Sequence, residues 1–158
     1  MASQDFTGRT VDLFIFQGVE ETGNQPITTG WGIAGELCTG IQKIAQSWTA
    51  LFLTSRGSVY SDPLRGSDFL LAVRSGRIQV DEDIPAEFGI ASAQVQRTMD
   101  LDSADADPTP EDDETLVRAE LIDYDLDQNS SLLRLKVRLH SLAGDTRTIF
   151  LPIPVPVR

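Results

Sequence analysis

The sequence predicts an α+β fold: two main helices packed on a small three-stranded antiparallel C-terminal sheet, with an extended N-terminal arm. Ile41, Ile44, Ala45, Trp48, Leu51 and Phe52 recur at the spacing of one buried helix face. Phe88, Ala91, Val95 and Met99 mark the inner face of a second helix. Beyond residue 115, LVRAELIDYDL, SLLRLKVRLHSL and TRTIFLPI are β-prone runs separated by turn residues.

Residues 1–37 form the arm. VDLFIFQG within it reads as one strand, and EETGNQPITTGWG, rich in Gly, Thr and Pro, reads as loop. Such an arm cannot bury a core alone and must lie on the domain, residues 38–158, or on a neighbour. The first helix spans about 39–55. Thr39 and Gln42 have the spacing of a capping box, Arg56 falls at the negative end of the helix dipole, and Gly57 suits a left-handed stop.

The loop SVYSDPLRGSD then interrupts the helix, because Pro63 lacks an N–H and Gly66 is flexible. We read it as a joint in which Gly57 and Gly66 permit the turns and Pro63 stiffens them. Asp62 and Asp68 bond local backbone or cap the next helix, and Arg56 and Arg65 are free to pair with a neighbour's carboxylates. DFLLAVRSGRI has short helical or extended character. Pro85 and Glu87 suit the first turn of the second helix, about 86–102.

Residues 100–114 hold eight carboxylates and no basic residue, and are expected to form a solvated loop. The β part covers 115–151. In its middle run Leu133, Leu135, Val137 and Leu139 point to one face, and Arg134, Lys136, Arg138 and His140 to the other, so one side is buried and one wet. Residues 152–158, with proline at alternate positions, form an extended tail.

Composition narrows the function classes. The 158 residues suit one domain, and the formal net charge of −11 opposes binding to nucleic acid or anionic membranes. With one cysteine, Cys38, and one histidine, His140, no intrachain disulfide forms and common zinc or copper sites are not expected. No cofactor is implied. No basic segment leads into an apolar run near the N-terminus, so no signal peptide is expected.

Candidate chemistry is weak. Asp62, Asp68, Glu82 and Glu87 stand in turns or at a helix start, where carboxylates commonly serve structure rather than acid–base hydrolysis. Ser58, Ser61 and Ser67 lack a nucleophile elbow, and His140 lies on a basic strand face. Cys38 precedes a helix whose dipole would lower its pKa, yet lone cysteines mostly act as small apolar groups. The Arg134, Lys136, Arg138 stripe admits three readings: pairing with Glu120, Asp123 or Asp125 on the preceding strand, contact with an acidic partner protein, or contact with phosphate.

The order of these pieces resembles a known family. Thr39, Gly40, Gln42, Lys43, Ala45 and Gln46, then Thr54, Gly57 and Ser58, then Asp62, Pro63, Gly66, Ser67, Asp68 and Phe69 match the baseplate wedge proteins of contractile-tailed phages. These are small sheath initiators with relatives in tailocins and type VI secretion systems. Arg118 stands at the arginine of the family's Glu-Pro-Arg motif, preceded here by Leu116 and Val117. The resemblance spans about 35–151. It implies a virion protein of the tail baseplate, assembled in the host cytoplasm, that is not an enzyme. Its partners would be larger wedge proteins, the tail sheath protein and tail tube or hub proteins, with no nucleic acid and no membrane. Sheath strands would add to its sheet edge, where strand addition draws on main-chain hydrogen bonds. Thr148 and Phe150 lie on that edge, and Arg56, Arg65, Arg134, Lys136 and Arg138 are the candidate charged contacts. Two rival readings are a peptidoglycan hydrolase, after the family's old lysozyme label, and a free-standing regulatory binding module.

Overall fold

In a computed structural model of the chain, residues 12–13, 16–17, 28–29 and 37–156 are described. The order is β1 (Asp12–Leu13), β2 (Phe16–Gln17), β3 (Thr28–Thr29), β4 (Leu37–Cys38), α1 (Gly40–Leu53), α2 (Phe69–Ser75), α3 (Ile84–Ala104), β5 (Leu116–Asp127), β6 (Leu132–Ser141) and β7 (Thr146–Pro154). The α+β class holds, with a short third helix where the sequence left helix or extended chain open. β5, β6 and β7 form one antiparallel sheet in that order. Its inner face supplies Leu133, Leu135, Val137, Leu139, Ile149, Leu151 and Ile153, all buried. The helices lay an aromatic cluster against it. Trp48 stacks on Phe52 at 4.6 Å between ring centres, and Phe52 touches Phe69 at 4.8 Å and Phe88 at 5.6 Å.

α1 buries Ile44, Ala45, Trp48, Leu51 and Phe52, as its periodicity requires. Its start differs from expectation. Thr39 makes no side-chain cap, so the capping box with Gln42 does not form. Glu114 takes that place, accepting from the Gly40 N–H at 3.4 Å and from Lys43 Nζ at 3.1 Å. A carboxylate at the positive end of the helix dipole is favourable there. Gly40 has φ +62°, and a Cβ on it would lie 2.9 Å from Asp113 Oδ2.

The acidic segment 100–114 is therefore not a uniform solvated loop. α3 continues through Ala104, and a 3-10 turn at Asp112–Glu114 delivers Glu114 beneath α1. The Glu114 side chain is 2% exposed. Glu114→Ala removes the acceptor shared by the Gly40 N–H and Lys43, and is expected to cost about 2–4 kcal/mol, at or a little below the range for breaking a fully buried pair because Lys43 is partly exposed. Chemical denaturation of the two proteins checks it.

α1 stops at Leu53, so Gly57 is not its stop residue and Arg56 lies beyond its last turn. The left-handed stop belongs to α2, where Gly76 has φ +74° and the Arg77 N–H returns to the Ala72 carbonyl at 3.0 Å. α3 carries Pro85 in its first turn and buries Phe88, Ala91 and Val95. Glu87 meets Arg77 at 3.4 Å.

The arm segment read as one strand contributes to two short pairings: Asp12 opposite Cys38 and Leu13 opposite Leu37, then Phe16 opposite Thr29 and Gln17 opposite Thr28. Asp12 accepts from Gln46 Nε2 at 2.9 Å, fastening β1 to α1. Most of the loop expected at EETGNQPITTGWG lies outside the described residues, as do residues 157–158 of the tail. The sheet reaches further than expected. Pro152, Ile153 and Pro154 belong to β7, and Ile153 is buried opposite Leu133. Ile153 faces the core while the prolines alternate away from it, so a strand tolerates both.

Candidate functional site

The loop 54–68 is held as a joint. The Ser67 N–H donates to the Thr54 carbonyl at 2.8 Å, the Arg56 N–H to the Ser67 carbonyl at 3.1 Å, and the Gly57 N–H to the Pro63 carbonyl at 2.8 Å. Asp62 accepts from the Leu64 N–H at 3.2 Å, a local side-chain turn. Ser67 is buried and its hydroxyl donates to the Phe52 carbonyl at 2.6 Å. Gly66 adopts φ +98°, and a Cβ there would fall 2.2 Å from the Thr54 carbonyl oxygen. Gly66→Ala combines strained backbone with a backbone clash. It is expected to lower stability by about 3 kcal/mol or more, while Gly57→Ala, with open space around it, costs about 1–2 kcal/mol from its positive φ alone. Thermal melts of the two variants give the comparison.

Asp68 does not cap α2 with its side chain. Its N–H donates to Gln94 Oε1 at 2.8 Å, and its carboxylate accepts from Gln94 Nε2 at 2.7 Å. Arg56 reaches the same carboxylate at 3.6 Å and donates through Nε to the Leu64 carbonyl. Arg65 forms a two-pronged bond to Asp102 at 3.0 and 2.8 Å, which pulls its pKa further up. Arg56 and Arg65 thus pair inside the chain, tying the joint to α2 and α3. Gln94 and Asp102 had no signal in the sequence, because each meets its partner only through the packing of α3.

Cys38 is buried, and the thiol is pushed up to about 11 by burial first and then by Asp12. Desolvation outweighs any help from the nearby helix start, so the thiol stays neutral at physiological pH. Among the described residues no three His, Cys, Asp or Glu side chains gather for a metal, and no helix is long and apolar enough to cross a membrane.

The outer face of the sheet carries the charge stripe. Arg134 bonds Asp125 at 2.8 Å, His140 meets Glu120 at 3.2 Å, and Lys136 lies 5.2 Å from the Phe150 ring centre. Cross-strand pairing on β5 therefore accounts for part of the stripe. Arg138 is exposed and makes no ion pair among the described residues, and it stands between Glu120 and Thr148 in register.

Among the described residues β7 is an edge strand, and its register fixes which backbone groups have no partner there. The Val155 N–H donates to the Ser131 carbonyl at 2.8 Å, and the Ser141 N–H to the Asp145 carbonyl at 2.9 Å. The odd-numbered residues between them therefore bond to β6. Thr146, Thr148 and Phe150 aim their N–H and carbonyl groups away from the sheet. Pro152 and Pro154 occupy the next two outward positions and have no N–H to offer. No known protein family, curated protein or solved structure matches the chain.

Proposed function

We propose that this protein is a structural subunit of a contractile-tail baseplate, a wedge component that seeds the tail sheath by accepting a strand from it. The observation that carries this reading is the free backbone edge at Thr146, Thr148 and Phe150. Strand addition there needs main-chain donors and acceptors and little side-chain chemistry. Two further features support it: the ordered motifs of residues 39–69, and apolar side chains left exposed on the helices, Leu71, Ile90 and Leu101. Those helix faces are the contact for larger wedge proteins, with tail tube or hub proteins as further neighbours. The work is done in the virion baseplate, assembled in the host cytoplasm, without nucleic acid, membrane or catalysis.

The experiment is a density map of an assembled tail containing this chain. The reading expects β7 against a sheath strand at the wedge–sheath junction. Density for the chain away from that junction would overturn it. So would purified protein that cleaves peptidoglycan and loses that activity in Asp68→Asn.

A further inference from the structure

The two edges of the sheet are not equivalent. β5 breaks register between Leu116 and Arg118 and again between Leu121 and Asp123, and such irregularities blunt an edge. The Tyr124 N–H, which faces outward on β5, already donates to the Asp123 carboxylate at 3.0 Å. β7 keeps regular register along its whole length and is blunted only at its far end, by Pro152 and Pro154. The stretch from Thr146 to Phe150 remains as regular edge, with three outward N–H groups spread over about 14 Å at the usual rise per residue.

The side chains beside that stretch carry a sign. Arg134 is taken by Asp125, Glu120 lies opposite Arg138 in register but its carboxylate meets His140, and Lys136 lies over Phe150. Arg138 is left, exposed on the outer face directly opposite Thr148. A strand laid along β7 sits two strand spacings, about 10 Å, from β6. An arginine and a carboxylate reaching towards each other over the short Thr148 side chain span that gap.

We infer that the β7 edge selects its strand by charge and by length. The occupant is a short extended segment of another protein with an Asp or Glu on its outer face opposite Thr148, and Pro152 and Pro154 end the pairing so that a longer strand gains nothing. This rests on the reading of β7 as a strand acceptor. Arg138 supplies the preference, and the prolines supply the stop.

Labelled peptides test it on the full chain by fluorescence anisotropy at physiological ionic strength, where the long-range field of the net charge of −11 is largely screened. One seven-residue probe is Val-Thr-Val-Glu-Val-Thr-Val, a second has Lys at the centre, and a third extends the first by two residues at each end. The Glu probe is expected to bind up to about fivefold tighter than the Lys probe, the upper scale of one exposed ion pair, and Arg138→Gln is expected to erase the difference. The longer probe is expected to match the short one on the natural sequence. It should bind about threefold tighter or more when Pro152→Thr and Pro154→Thr restore two outward donors. Equal binding of the Glu and Lys probes, or a longer probe that gains on the natural sequence, overturns the inference while leaving strand acceptance standing. Failure of every probe on every variant overturns strand acceptance as well. A dimer in sedimentation that Thr148→Pro dissociates would put a second copy of the chain on this edge and overturn the assignment of the occupant.

Discussion

Phe52→Ala is expected to destabilise the protein by about 3–5 kcal/mol, the range for emptying a buried aromatic site. Phe52 is 0% exposed and is the ring shared by Trp48, Phe69 and Phe88, so it joins α1 to both other helices. Loss of that side chain removes three ring contacts and leaves a void that the sheet behind cannot fill without shifting its own packed residues. A single domain is stable by about 5–15 kcal/mol, so the variant loses between about a fifth and all of that margin. Urea unfolding followed by far-UV circular dichroism should show a lower midpoint with an unchanged slope. Trp48→Phe offers a contrast. Among the described residues the buried Trp48 indole N–H has no hydrogen-bond partner. Its removal relieves an unmet donor worth about 1–3 kcal/mol, which offsets part of the lost volume. The expected cost is therefore well below that of Phe52→Ala.

If the protein seeds a sheath as proposed, Thr148→Pro is expected to abolish that initiation while changing the stability of the isolated protein by less than about 1 kcal/mol. The separation follows from the register. Thr148 lies opposite Arg138 at a position whose N–H faces away from β6, so proline there removes no bond of the existing ladder. It removes the middle donor of the three that an added strand would use. Thr148→Ser keeps the donor and should assemble normally. A sheath polymerisation assay alongside melting curves reads both outcomes, and normal sheath growth from Thr148→Pro would exclude this edge as the docking site. Truncation after Leu151 is a poorer test than the sequence suggests. It removes Ile153, which is buried in the core, and so confounds docking with folding.

Much of the fold was legible. The apolar spacing from Ile41 to Phe52 and from Phe88 to Val95 located α1 and α3, and the alternation from Leu133 to Leu139 set the buried face of β6. The third helix was ambiguous because Phe69–Ser75 spans only two turns, too short for periodicity to separate helix from strand. The acidic segment misled for another reason. Composition measures average polarity, and a single buried carboxylate such as Glu114 is invisible in that average. The joint was legible as a turn from Pro63 and Gly66, but its charge partners were not.

The order of elements, their inner faces and the place of the turns follow from the amino-acid sequence alone, because these depend on spacing between near neighbours and on the uniform demand to bury apolar side chains. Which charges are paired and which backbone groups lack a partner among the described residues depends on the packed chain. Glu114 meets Gly40 across 74 residues, Arg65 meets Asp102 across 37, and Asp68 meets Gln94 across 26. No local pattern encodes such meetings. The open half-edge of β7 is likewise a matter of register, since one residue of slip would turn Pro152 and Pro154 towards β6 and expose a different set of donors.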